Sequence, residues 1–192
     1  MALTFDDGPS RETSALLDVL DEQQVRATFD IVGSNVGQQP DLLRRQMSRH
    51  DLGNHTWSHR ALTGLTAAEI DAELRRTDDL IDRVTGERPR CLRPRGGEVT
   101  PQILTAASAF GYDVVLWSIQ VPAGTRAADP VQYVLDHLHP GAIVLAHDPG
   151  IRTAGGPDGL TRLIRGARAL GYVFSTVSEL VSAGNPVQGD AL

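Results

Sequence analysis

Leu3-Thr4-Phe5-Asp6-Asp7-Gly8-Pro9 is a short apolar strand that runs directly into two adjacent carboxylates and a Gly-Pro turn. Read alone, Asp-Asp-Gly-Pro is an ordinary acidic turn. It gains weight from a second stretch further along the chain. At Asn54-His55-Thr56-Trp57-Ser58-His59 another short apolar run ends in two histidines four positions apart. A carboxylate at one strand end and a histidine pair after another form the ligand set of an open divalent-metal site. One of the two aspartates then remains free to act as a base. The pattern points to a metal-dependent hydrolase.

Outward from the first strand the chain alternates. Apolar runs fall at residues 2–5, 27–32, 51–54, 91–93, 114–117, 142–146 and 172–174, with segments of helical character between them. The clearest helix covers 66–84, where Ile70, Leu74, Thr77, Ile81 and Val84 recur at helical spacing. Thr66 to Glu69 reads as a capping box at its start, and Gly86 as its stop. Thr100-Pro101 and Asp129-Pro130 each read as an N-cap followed by proline in the first turn, and Thr176 to Glu179 as a second capping box. Seven strand–helix units without an internal repeat predict a parallel α/β fold, either a barrel or a doubly wound sheet.

Composition bounds the function. A chain of 192 residues is long enough to bury one substantial core. A net charge of −6 argues against a nucleic-acid or anionic-membrane partner. No apolar run approaches the roughly 20 residues of a membrane span. Cys91 is the only cysteine, so no disulfide forms within the chain, and beside a strand it reads as a small core residue. No signal peptide is visible, and Met1 stands almost inside the first strand, as if an upstream segment had been trimmed.

In parallel α/β folds, functional groups collect on the loops after strand carboxyl ends. Asp6-Asp7 follow the first strand, His55 the third and Arg93 the fourth; Trp117 ends the fifth, and His147-Asp148 follow the sixth. Each has a bland alternative as a turn, a helix-face pair or a surface ion pair, but five polar clusters on one rim outweigh those readings. Side chains alternate along a strand, so Asp6 and Asp7 are expected to meet different surroundings. If Trp57-Ser58 begin a helix, His55 and His59 share one face of it. A metal held there polarises a carbonyl and acidifies a water, a second carboxylate takes the water's proton, His147 protonates the leaving group, and Arg93 keeps the base ionised. His50, His137 and His139 lack any such pattern and read as structural or exposed.

Taken in order, Thr4 to Pro9, Asn54 to His59, Leu92-Arg93-Pro94 and Ile143 to Asp148 resemble the polysaccharide deacetylases, the NodB-homology domains or family-four carbohydrate esterases. The resemblance covers nearly the whole chain and implies a catalytic domain over 1–183; residues 184–192 read as a flexible tail. It implies a distorted (β/α) barrel of about seven parallel strands and one divalent metal ion, zinc by default, with cobalt, nickel or manganese as alternatives. It implies removal of acetyl groups from N- or O-acetylated sugars: peptidoglycan, chitooligosaccharide or acetylxylan. An extracellular or cell-envelope location is implied as well, with an acetylated glycan as the binding partner and no obligate protein partner. Carried over by motif, Asp6 is the base, paired with Arg93, and His147 is the acid. Asp7, His55 and His59 are the metal ligands, and Leu145 belongs to the acetyl-methyl pocket. The backbone amide of Gly96 is the oxyanion donor, and Trp117 and Arg95 belong to the substrate-binding set.

The chain departs from the family pattern in two places. Arg93-Pro94-Arg95-Gly96-Gly97 stands where the family has Arg-Pro-Pro-Tyr-Gly, and the added cation at Arg95 favours an acidic ligand such as a muramyl lactate or a glucuronate. The family's Asp-Trp pair, which orients the acid histidine and walls the acetyl pocket, aligns with Ala123-Gly124, leaving Gln120 as a substitute acceptor. That loss motivates one alternative, a catalytically weak carbohydrate-binding relic that keeps the metal. A further alternative, a metal-dependent amidase on a non-sugar C–N bond, follows because related barrels attack other C–N bonds.

Overall fold

Strand and helix alternate along residues 1–37, 39–122, 128–149 and 155–184, the part of the chain that the computed structural model describes. In chain order the elements are β1 (Ala2–Gly8), α1 (Thr13–Glu22), β2 (Thr28–Ile31), α2 (Gly33–Val36), α3 (Pro40–Met47), β3 (Asp51–Asn54), α4 (Ala67–Thr85) and β4 (Cys91–Leu92). There follow α5 (Pro101–Ala109), β5 (Asp113–Val114), β6 (Ile119–Gln120), α6 (Pro130–His137), β7 (Ile143–His147), α7 (Gly156–Ala169) and α8 (Val177–Ala183). The helix signals are met. Thr66 and Thr176 close capping boxes with Glu69 and Glu179, Gly86 ends α4 in the left-handed conformation, and Thr100 and Asp129 cap helices whose first turn holds proline. The described helices include none long and apolar enough to cross a membrane.

The strands form one parallel sheet in the order β5-β4-β3-β2-β1-β7-β6. This is the cyclic order of a barrel with the β5–β6 pair left unmade, so the sheet curls into a half-barrel and the doubly wound alternative is excluded. Two strand expectations change. Residues 172–174 form no strand; the chain there is tied by an isolated bridge between Ala2 and Ser175. The seventh strand is β6, and Trp117 lies in the link between β5 and β6 rather than at a strand end.

Side-chain alternation sorts the two faces of the sheet. Leu3 and Phe5 of β1 and Phe29 and Ile31 of β2 face outward into the core under the helices, where Phe5 and Phe29 stack at 5.3 Å. The inner face is layered. Ala2, Cys91 and Val115 fill its base with Val177 of α8, Thr4 lies above them, and Asp6, Asp30 and Arg93 reach the mouth. α8 plugs the base, with the Val177 amide donating to Thr28 Oγ1 at 2.9 Å. The half-barrel is thus apolar at the strand starts and charged at the strand ends.

His50 lies outside the site, 4% exposed behind Phe29, and its Nδ1 accepts the Ala27 amide at 3.2 Å. Burial pushes its pKa down to about 4. Above about pH 6.5 the ring is neutral in both folded and unfolded chains. Below that the unfolded chain takes the proton first, so His50 subtracts stability as the pH falls toward about 4. Relative to pH 7.5, the expected loss at pH 5 is on the order of 2 kcal/mol. His50→Gln should remove it, read as the wild-type-minus-variant difference in denaturant stability at the two pH values. A difference that does not change with pH would refute this role.

Candidate active site and metal centre

The β1 end departs from regular alternation. Its register against β2 shifts between Asp6 and Gly8, and Asp7 occupies the irregularity with φ 71°. A regular strand would send Asp7 to the outer face; the bulge re-aims it to the mouth beside Asp6. Asp6 Oδ2 stands 3.6 Å from His55 Nε2, while Asp7 Oδ1 stands 3.5 Å from that atom and 3.0 Å from His59 Nε2. Gly8 is required next to them, because a Cβ there would lie 2.5 Å from Asp148 Oδ2. Asp148, fully buried, accepts hydrogen bonds from Ser10 Oγ and Thr13 Oγ1, each at 2.6 Å, and so ties the turn after β1 to the end of β7. Burial pushes its carboxyl pKa up, with the two hydroxyls opposing the rise.

His55 and His59 do not share a helix. The chain after β3 is a loop, α4 begins only at Ala67, and the ring pair is made by backbone turns with Thr56 at φ 69° and His59 at φ 55°. The two rings lie 4.9 Å apart. Asn54, buried at the end of β3, accepts the Thr56 amide at 2.9 Å and donates to Leu74 O and to the Tyr112 hydroxyl.

Asp7, His55 and His59 offer three ligand atoms within 4.8 Å of one another. A divalent cation fits the donor set. Asp7 Oδ1 is buried and accepts no hydrogen bond among the described residues. His55 Nδ1 lies 2.6 Å from Arg93 O. A carbonyl only accepts, so Nδ1 carries the proton. Burial lowers the ring's pKa, but the Asp7 and Asp6 carboxylates outweigh it and raise it. A cation at Nε2 would take the place of the second proton. His59 has its pKa lowered by burial, which favours the neutral ring that binds metal.

Arg93 spans the inner face, with no exposed surface. Its Nη1 donates to Thr4 Oγ1 at 2.6 Å and to Asp6 Oδ1 at 2.8 Å, Nε to Val115 O at 3.1 Å, and Nη2 to Leu116 O at 3.2 Å. Asp30 Oδ2 lies 3.0 Å from the same Nη1 but accepts no hydrogen bond among the described residues. Two carboxylates therefore share one guanidinium. Burial pushes the Asp30 carboxyl up to about 6, with Arg93 opposing the rise and Asp6 adding to it. Gly53 makes room for Asp30, since a Cβ there would meet Asp30 Oδ1 at 2.1 Å.

The remaining expected residues ring this centre. His147 ends β7 in register with Asp6, and Leu145, buried one layer below, is in register with Thr4. The Trp117 ring packs against Gly97, whose φ is 72°, and the Arg93 guanidinium lies 5.8 Å from its centroid. Arg95 is exposed in the short 3-10 turn Arg95–Gly97, its charge close enough to His59 to help lower that ring's pKa. Gly96 follows it at φ 68° with open space around its Cβ position. Gln120, on β6 in register with Leu145, has an exposed side chain that makes no hydrogen bond to His147. Ala123-Gly124 and residues 185–192 of the expected tail lie outside the described residues.

Asp30 and Glu73 were not anticipated from the sequence. Asp30 lies inside the apolar run 27–32, and its one signal is a carboxylate between Phe29 and Ile31 in a strand buried on both faces. Glu73, on α4, accepts the amides of Trp57 and Ser58 with its Oε2 at 3.0 and 2.8 Å.

A family model described as polysaccharide deacetylase matches residues 1–115. The peptidoglycan-N-acetylglucosamine deacetylase of Bacillus cereus is 32% identical over 185 residues, which cover 94% of this chain and 67% of that protein. The peptidoglycan-N-acetylglucosamine deacetylase PgdA of Listeria monocytogenes is 36% identical over 185 residues, 94% of this chain but 38% of its own length. Among solved structures, the peptidoglycan deacetylase PdaC of Bacillus subtilis superposes with a TM-score of 0.84 at 32% identity, over 94% of this chain and 89% of that one.

Proposed function

The chain belongs to the polysaccharide deacetylase family, and from that premise we propose that it is a metal-dependent hydrolase removing acetyl groups from N-acetylated glycans. Peptidoglycan N-acetylglucosamine is the foremost candidate, because the relatives from Bacillus cereus and Listeria monocytogenes are named for it. A substrate of that kind places the activity at the cell envelope. The observation that carries the proposal is the meeting of Asp6, Asp7, His55 and His59 at one mouth, with carboxylate-to-Nε2 distances of 3.6, 3.5 and 3.0 Å.

Asp7, His55 and His59 would hold the cation, zinc by default for two histidines and a carboxylate, with cobalt, nickel or manganese accepted by the same set. Bound there, a divalent ion supplies Lewis acidity toward a carbonyl oxygen and makes water more acidic. Asp6, outside the ligand set, takes the proton of the attacking water at Oδ2. Its other oxygen accepts from Arg93 Nη1 at 2.8 Å, which holds the carboxylate in place. The Gly96 amide faces the carbonyl oxygen as charge develops on it. Leu145 and Trp117 enclose the acetyl methyl. His147, beside Asp6 on the neighbouring strand, gives a proton to the departing sugar nitrogen as the C–N bond breaks, leaving acetate and a free amine.

The test is acetate release, with zinc and with a chelator, from chitooligosaccharides, peptidoglycan fragments and acetylated xylan. Chelator-sensitive release from the N-acetylated substrates is expected. No release from any of them with metal bound would favour a carbohydrate-binding protein. Arg95 is proposed to pair with acidic substituents on the glycan. Arg95→Ala should therefore lower turnover of muramyl-bearing fragments more than that of neutral chitooligosaccharides, and equal losses would remove that assignment.

A further inference from the structure

The loop that carries both histidines holds an unfavourable shape. Thr56 and His59 are non-glycine residues in the left-handed region, at φ 69° and 55°, and Thr56 is β-branched, for which this conformation is a genuine outlier. Such backbone persists only where its surroundings over-determine it. The loop carbonyls are met from α2: the Gly33 amide donates to Thr56 O at 3.0 Å and the Ser34 amide to Trp57 O at 2.9 Å. Among the loop amides, that of Thr56 goes to Asn54 Oδ1 and that of His59 to Thr56 Oγ1 at 3.1 Å. The two between them are met from α4 by one carboxylate. Glu73 Oε2 accepts the Trp57 and Ser58 amides at 3.0 and 2.8 Å, and Oε1 accepts Ser58 Oγ at 2.8 Å. One turn further along α4, the Arg76 guanidinium covers the Trp57 ring at 4.1 Å.

Glu73 is half-buried, makes no hydrogen bond or ion pair with either ligand ring among the described residues, and takes no part in the helix cap, which Thr66 and Glu69 complete by themselves. Its three bonds all go to the two residues Trp57 and Ser58, between His55 and His59. That segment sets the separation of the two rings and brings His59 Nε2 to 3.0 Å from Asp7 Oδ1. A carboxylate suits the task because it accepts at every lone pair and its charge strengthens each bond; glutamine would keep an acceptor oxygen for the two backbone amides but give up that charge.

We infer that Glu73 is a positioning residue for the metal centre: from α4 it fixes the 56–58 backbone so that His59 closes the ligand set begun by Asp7 and His55. The inference rests on the proposal that these three residues hold a metal. Groups behind metal ligands set ligand geometry and therefore affinity.

The test is the zinc dissociation constant, measured by competition with a chromophoric chelator, together with the melting midpoint of the metal-free protein. Glu73→Gln is expected to weaken zinc binding by about 10-fold, the lower end for a group behind a metal ligand, because the amide loses the charge but keeps an acceptor. The metal-free melting midpoint should stay close to that of the wild type. Ser58→Ala, which removes one Glu73 contact without touching α4, should give a smaller loss in the same direction and keeps the test alive if Glu73→Gln folds poorly. Glu69→Gln weakens the same helix through its cap and should leave zinc affinity unchanged. Wild-type affinity in both Glu73→Gln and Ser58→Ala would overturn the inference, as would an equal affinity loss in Glu69→Gln. A wild-type protein that binds no divalent metal would overturn the metal centre itself, and the inference with it.

Discussion

Asp6→Asn is expected to lower acetate release by about 10³-fold, within the usual contribution of a general base, with zinc content and fold unchanged. Asparagine has the shape of aspartate, and its carbonyl oxygen can still accept from Arg93 Nη1, which lies 2.8 Å from Asp6 Oδ1. What it loses is the capacity to take a proton from water. The cation site is spared because Asp7, not Asp6, stands closest to the two Nε2 atoms together. Parallel measurements of acetate release and bound metal decide the matter. A rate within tenfold of wild type would deny Asp6 the role of base, and loss of metal together with activity would make it a ligand instead.

Arg93→Ala is expected to cost about 3–5 kcal/mol of folding stability, the usual penalty for removing one member of a buried ion pair. Arg93 has no exposed surface, and its guanidinium is the cation between Asp6 and Asp30. Without it, two carboxyls remain buried side by side, and Val115 O and Leu116 O lose their donors. Asp30→Asn added to Arg93→Ala should recover part of the loss, because only one of the paired acids then remains. Residues in one ion-pair network are expected to be non-additive in this way. Denaturant unfolding of the two single variants and the double variant measures the coupling. Strict additivity, or a single-variant cost below about 1 kcal/mol, the worth of a surface pair, would mean that Arg93 is not the clamp between the two acids.

Helix limits were legible in the sequence because they are local. A capping box needs only residues within one turn, and those at Thr66 and Thr176 formed as read. The long strands were legible too, β3 to the residue. The short strands were harder. β5 and β6 have two residues each, too few for any periodicity, and they are held by their neighbours rather than by their own pattern. Residues 172–174 carry the apolar character of a strand but do not join the sheet; Met1 and Ala2 hold the adjoining segment through Ser175.

The site divides in the same way. Residue identity and chain order alone placed Asp6, Asp7, His55, His59, Arg93 and His147 on one rim, because parallel strands deliver their carboxyl ends to one edge. How those groups face one another is a tertiary matter. Strand alternation predicted opposite directions for Asp6 and Asp7, and a bulge against β2 turned both to the mouth. Helical spacing predicted how the two histidines would meet, and a loop held by Glu73 and α2 brings them together instead. Asp30 reaches Arg93 only once β2 lies beside β1 with Asp30 in register with Asp6. The sequence by itself determined which groups are present and which edge of the sheet they occupy, because patterning and capping act over a few residues. The tertiary structure decided which carboxylate faces the histidines and which is clamped by arginine. Those outcomes depend on distances of a few ångströms between segments far apart in the chain.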